Sequence, residues 1–378
     1  MNRWQRPAPG ERESEERNWQ IVRAAYEERI PSPRPARRWR LVLVAGAAAL
    51  LLAGILSPPG HAVFGSLRDA VRGEKNAKPA LFALPSQGSR LLVNSAEGAW
   101  VVQSDGSKRL LRDYRDASWS PRGLYLAGIH GDELRALEPS GDMHWSIGRA
   151  GLAAPKWSRK GSGDERIAYL AQQGLRVIGG DGRGDRLLAR SVTRVSPAWR
   201  PRTHNVAYID QAGKVVVRNA DTRALHWTAQ AQQTPKALEW SGDGRYLLAR
   251  GSSSITVFSN TGRQRLELLP RGAANVVATR FMPTGDALAF VQRSAGRSVL
   301  WFYPRLRPDA TAARRVFAGA GSFDAVSWSP DGRWLVLSWP SADQWLFIRS
   351  ATVRKVTPIS GIDSAFGTGA KPTEWCCP

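Results

Sequence analysis

Apolar positions fall into two regimes along this chain. Between Leu41 and Leu56 sixteen consecutive residues, LVLVAGAAALLLAGIL, are apolar or Gly, and no charged side chain stands between Arg40 and Arg68. Such a run predicts a membrane-spanning helix, for which roughly 17–25 residues are needed. Trp39 and Ser57 carry it to the two interfaces, and Pro58 with Pro59 ends it. From residue 80 onward the apolar residues instead alternate with polar ones in short stretches bounded by Gly, Pro, Asp and Ser, the period of half-buried strands. No helix-length apolar period is expected there.

The charges around the long run give it a direction. Arg34, Arg37, Arg38 and Arg40 precede it and an uncharged stretch follows, so the positive-inside rule predicts residues 1–40 in the cytoplasm and residues 60–378 outside. A cleaved leader ending at Gly60-His61-Ala62, with Arg37-Arg38 as a twin-arginine signal, is the competing reading; its n-region of forty residues is long for one. Within the cytoplasmic segment Ser14 is placed to cap a helix that Pro31 terminates, and Trp19, Val22, Tyr26 and Ile30 share one stripe of it. With no core to bury that stripe, three readings stay open: a solvated tail, a helix on the bilayer, or a helix docked on a cytoplasmic regulator. Beyond the span, Val63, Phe64, Leu67 and Val71 predict a short stalk helix and then a linker. The expected organisation is therefore 1–40 cytoplasmic, 41–57 spanning, 58–79 stalk and linker, and 80–378 one repeated all-β unit.

The repeat is marked by an aromatic residue that closes one short strand and opens a turn. Trp119, Trp157, Trp199, Trp240, Phe281 and Trp328 follow one another at 38, 42, 41, 41 and 47 residues, the length of a four-stranded propeller blade. Residues 90–111 hold the later strands of such a unit without its opening strand. Trp375 supplies an opening strand, 47 residues after Trp328, with nothing after it. The economical solution is a seven-bladed β-propeller whose last blade is assembled from both parts, which removes an open sheet edge; six blades with a stray tail is the alternative. Trp at these positions fills the wedge between blades, and Pro-Asp-Gly sets the turn.

WSPDG at 328–332, with WSPRG at 119–123 and WSGDG at 240–244, resembles the WD-repeat-like blade of TolB-type propellers over roughly residues 80–378. EPSGDMHW at 138–145 and NADTRALHW at 219–227 resemble the blade motif of quinoprotein-like propellers. The whole layout is similar to that of single-pass propeller proteins of actinobacteria, some of which look like partners of extracytoplasmic sigma factors. These resemblances imply fold and leave function open.

Composition adds one constraint. The net charge is +22; ten Arg against six Glu leave residues 1–40 at +4 and the remainder at +18. Such a field attracts polyanions, and for an exported domain these are anionic lipid, an acidic polymer or an acidic protein, with no nucleic acid expected. Catalytic machinery is not evident. His130 (with Asp132), His144, His204 and His226 stand in different repeats, and neither H-E-x-x-H nor G-x-S-x-G occurs, so no metal, cofactor or catalytic residue is assigned. GGDGRGD at 179–185 reads as a hairpin turn in preference to a calcium loop or an RGD adhesion signal. Cys376 and Cys377 are the only cysteines, and a vicinal disulfide, two buried thiols and an intermolecular bridge remain open for them.

Three functional classes follow. The first is a non-enzymatic, membrane-anchored extracytoplasmic propeller that binds a protein or acidic polymer. The second is an anti-sigma-like regulator whose N-terminal helix binds a cytoplasmic transcription factor, although no zinc motif is present. The third, a quinoprotein-like enzyme, lacks recognisable catalytic residues.

Overall fold

The computed structural model describes residues 83–158, 164–268, 274–306, 313–350 and 356–377. The expected span at 41–57, the stalk at 58–79 and the stripe of Trp19, Val22, Tyr26 and Ile30 lie outside these residues. Among the described residues no helix is long and apolar enough to cross a membrane.

Seven four-stranded antiparallel sheets form the blades of a propeller, so the count is seven and not six. Blades 1 to 6 are each contiguous in sequence. Their inner strands are Tyr114–Trp119, Ala153–Trp157, Ala198–Trp199, Ala237–Trp240, Asn275–Phe281 and Ala325–Trp328. The closing blade takes its inner strand, Lys371–Cys376, from the far end of the chain and its other three from Arg90–Ser95, Gly98–Val102 and Lys108–Arg112. That inner strand runs antiparallel to Arg90–Ser95, with Leu91 opposite Trp375 and Leu92 opposite Glu374.

All inner strands run toward one face, termed the front. It carries the turn after each marker aromatic and the turn between third and fourth strands. The described chain enters on the same face, where Leu84 N–H donates to Ser104 O at 2.9 Å.

The apolar core consists of seven clusters, each lying between two neighbouring blades. Every marker aromatic packs in the cluster shared with the preceding blade: Trp119 against the closing blade, Trp157 against blade 1, and so around to Trp375 against blade 6. All seven are 3–7% exposed. The geometry explains the residue type, because a flat ring of this size fills a wedge that narrows toward the axis.

The front-face turns are built identically where the sequence permits. In blade 6, Ser329 Oγ donates to Asp331 and accepts from Trp334 N–H at 2.9 Å, while Asp331 accepts from Arg333 N–H at 3.0 Å. Ser241 and Asp243 repeat this in blade 4; in blade 1, Ser120 keeps its bond from Tyr125 N–H although Arg122 replaces the Asp. The two quinoprotein-like segments prove to be rivets between blades. Trp145 donates its indole N–H to Gly180 O at 2.9 Å and lies against Gly182, whereas Trp227 donates to Asn260 O at 3.0 Å and lies against Gly262. Each glycine stands two residues after the accepting carbonyl and has φ near +81°.

Two features were not located by the sequence pattern. A fourth strand is present in every blade, including Met143–Gly148, Leu225–Ala229 and Gln264–Leu268, which the apolar pattern did not mark. These outermost strands face solvent along one edge, so their apolar content is low, and the burial of Met143–Gly148 simply alternates between exposed and half-buried. A short helix also forms at Ile362–Phe366, too brief to register as a period. Phe366 stacks on Trp345 with centroids 4.9 Å apart, and its carbonyl accepts from Trp100 Nε1 at 2.8 Å.

Replacing Gly262 by Ala would place a methyl group 2.8 Å from the Trp227 ring at a φ of +82°, whereas Gly285, at φ +89°, has nothing within 4 Å. Gly285→Ala is expected to cost about 1 kcal/mol from backbone strain alone, and Gly262→Ala about 1–3 kcal/mol more from the displaced ring. Urea denaturation of the two variants measures the difference directly.

Candidate functional site

Three regions of the propeller bring chemistry-bearing side chains together: the axial channel, a polar belt through blades 2 and 3, and two clefts on the front face. In the channel, the residue immediately before the marker aromatic is Lys156 in blade 2, Glu239 in blade 4, Arg280 in blade 5 and Glu374 in the closing blade; the other three blades have Ser or Ala there. Inner strands are sheet edges, and their unpaired N–H groups need acceptors. Glu374 accepts from Trp119 N–H at 2.8 Å and Glu239 from Phe281 N–H at 2.9 Å, each reaching forward to the next blade.

Cations complete the arrangement. Lys156 Nζ meets Glu374 at 2.5 Å, and Arg280 lies 3.8 Å from Glu239 while donating to Thr373 O at 3.0 Å. Lys156 and Glu374 are separated by blade 1, and Arg280 and Thr373 by blade 6, so each of these contacts skips a blade. One ion pair of the protein itself, Lys156 with Glu374, therefore joins blades that are not neighbours. The sequence pattern did not single out these residues. The available signal was a charge at a position otherwise held by Ser or Ala, beside the repeated aromatic.

The histidines do not stand in four different repeats as expected: His130 and His144 share blade 1, and His204 and His226 share blade 3. His130 packs on Tyr114 with centroids 5.1 Å apart, His144 lies 3.1 Å from Glu138 and edge-on to Tyr125, and His226 is exposed. His204, 4% exposed, places Nδ1 against Asp221 and Nε2 2.9 Å from Asp164 O. Asp221 also meets Arg166 and Arg186, at 3.3 and 2.9 Å, forming a latch between blades 2 and 3. Burial would raise the Asp221 carboxyl, but His204 and Arg166 outweigh it and hold it below its ordinary value. Among the described residues no group of three or more His, Cys, Asp and Glu could hold a metal ion.

GGDGRGD joins the third and fourth strands of blade 2, with Gly182 N–H donating to Gly179 O. Its last residue faces inward. The Asp185 side chain, 8% exposed, is bidentate to Arg176, meets Arg149 at 2.6 Å and accepts from Tyr169 Oη at 2.7 Å. An aspartate bound in this way is not offered to a receptor, which disposes of the adhesion reading. Cys376 and Cys377 have their sulfurs in bonding contact and lie where blades 1 and 6 have Ser-Pro. A Cβ on Gly123 of blade 1 would meet both sulfurs within about 3 Å, so the pair packs on the neighbouring turn.

The front face also carries two clefts, each between a blade and the next. One, of about 530 Å³ between blades 1 and 2, is lined by Tyr125, His144, Trp145, Trp157, Glu165 and Arg166 among others. The second, of about 500 Å³, lies between blades 4 and 5 and includes Arg245, Tyr246, Met282, Asp286 and Phe302. Tyr125 and Tyr246 occupy equivalent positions, five residues after the Ser of the turn.

No family model and no curated protein matches the chain. Among solved structures it is similar to Kluyveromyces lactis Hsv2, with a TM-score of 0.53, 13% identity, and 75% of this chain and 98% of that one covered. It is also similar to KlHsv2 with loop 6CD replaced by a Gly-Ser linker, at TM-score 0.54, 14% identity and 72% and 92% coverage. For Kluyvelomyces marxianus Hsv2 the values are 0.51, 13%, 69% and 89%. At this identity the likeness is one of fold, and it defines a seven-bladed β-propeller.

Burial alone would raise the Asp185 carboxyl, but hydrogen bonds from Arg176, Tyr169 and Arg149 prevail and hold it below its ordinary 3.8. A carboxyl lowered on folding contributes stability above that ordinary value and loses it as pH falls through the lowered one. Unfolding free energies measured from pH 7 down to pH 2 are expected to fall for the wild type at the acid end. Asp185→Asn should be less stable at pH 7 and show a shallower acid decline.

Proposed function

We propose that the protein is a membrane-anchored extracytoplasmic propeller of the TolB-like kind that works without catalysis, binding an acidic protein or acidic polymer. The observation that carries this reading is a surplus of +18 after residue 40 on a propeller whose inner-strand charges pair among themselves, Lys156 with Glu374 and Arg280 with Glu239. Ligand recognition then falls to the outer surfaces, where excess cations concentrate anionic partners. The uninterrupted apolar run at 41–56, with arginines before it, supports the anchor. The stripe of Trp19, Val22, Tyr26 and Ile30 favours a second role for the cytoplasmic segment, holding a regulator on the inner side.

Two measurements test the reading on the full chain. In a bacterial host, external protease should remove the propeller and leave residues 1–40 protected; a soluble product beginning near Ala62 or Val63 would overturn the anchor and the cytoplasmic role together. The protein in nanodiscs should bind polyglutamate and not polylysine, with affinity falling at least tenfold as salt rises from about 50 to 500 mM. Binding that ignores salt, or prefers the polycation, would sink the acidic-partner assignment.

A further inference from the structure

The cleft between blades 1 and 2 differs in sign from the protein around it. Among the described residues the Glu165 carboxylate has no hydrogen-bond or ion-pair partner, in a chain with 22 more basic than acidic groups. Burial raises it above its ordinary value, and the charge of Arg122 only partly offsets this. Neighbouring carboxylates have partners; Asp181, in the same cleft, accepts from the Arg183 N–H at 3.0 Å. Asp286 of the sister cleft lies 3.8 Å from Arg245, and Asp185 and Asp221 each hold two arginines. Arg166, in the same cleft as Glu165, is engaged by Asp164 at 2.7 Å and by Asp221.

The aromatic walls are fixed in advance. Trp145 is held by its bond to Gly180 O and by Gly182 beneath the ring, and Tyr125 stands edge-on to His144 at 4.6 Å. Ring faces beside an unanswered carboxylate in a partly desolvated cleft form a receptor for an organic cation, since each attracts positive charge and neither must be reorganised. Blade 1 also carries Leu124 and Met143, 56% and 55% exposed, two of the three large apolar side chains that stand this far out among the described residues. They flank Tyr125 and His144 in sequence.

We propose that this cleft is a docking site for an extended basic peptide segment, with one Arg or Lys side chain lying between Tyr125 and Trp145 to reach Glu165. The site is independent of the acidic-partner reading and opposite to it in sign, so either can fail alone.

The test uses the full chain in detergent micelles, titrated with acetyl-Gly-Leu-Arg-Leu-Gly-amide and followed by calorimetry and tryptophan fluorescence. The Arg peptide is expected to saturate, and its neutral citrulline counterpart to bind at least tenfold more weakly. Glu165→Gln should lose at least tenfold in affinity with an unchanged melting temperature, Tyr125→Ala should weaken binding further, and Asp286→Asn in the sister cleft should leave it unaltered. Equal binding of the citrulline peptide, retention of affinity by Glu165→Gln, or failure of the wild type to saturate below about 10 mM would overturn the proposal. So would a chito-oligosaccharide that displaces the peptide and binds Glu165→Gln as well as the wild type, because it would mark the rings as a sugar platform.

Discussion

Pairing of the strand Lys371–Cys376 with Arg90–Ser95 is the contact on which every other interface depends. Each blade buries its two faces only against its neighbours, so an open array of blades would leave one apolar face exposed at each end. Closing the ring covers both at once. The closure joins residues about 280 positions apart, the costliest kind of contact to form in terms of chain entropy, and that cost must be met before the two interfaces it completes can contribute. The closing strand is correspondingly well secured. Trp375 fills the wedge against blade 6 and donates to Ser89 Oγ at 2.8 Å, Glu374 reaches forward to blade 1, and Lys371 meets Asp324 at 3.0 Å.

Features that recur seven times were legible in the sequence. A wedge-filling aromatic recurs seven times at blade spacing, six times as Trp and once as Phe281, and a Ser-x-Asp-Gly turn follows it in blades 4 and 6, so the blade count and the split closing blade followed from arithmetic on marker residues. Outer strands such as Met143–Gly148 were obscure because a half-solvated edge carries little apolar pattern. Contacts made once were obscure for a different reason. Glu374 and Lys156 lie 218 positions apart and belong to no repeat, and Tyr125, Trp145 and Glu165 meet at a cleft only because two blades fan open there. GGDGRGD was read as a turn. Its further roles, seating Trp145 on Gly182 and supplying Asp185 to Arg176, depend on partners in other strands.

Charge is used in two ways within one fold. On the inner strands and between blades 2 and 3 it is paired locally: Lys156 with Glu374, Arg280 with Glu239, and Arg166 and Arg186 with Asp221. Partly buried pairs of this kind add less to net stability than to register, since removing either partner strands the other. The surplus cations remain at the periphery, where solvent screens them and long-range attraction is their main effect.

The split closing blade also separates architecture from chain order. Because Arg90–Ser95 and Lys371–Cys376 are neighbours in one sheet, with Leu84 and Cys377 both toward the front face, a short peptide joining these points would convert the chain into a continuous circle with no change to any blade. Cutting that circle at another front-face turn would move the seam to a different blade. Cuts after the other marker aromatics would give six further starting points, and the choice among them would determine only which blade is held together by hydrogen bonds instead of a covalent hairpin.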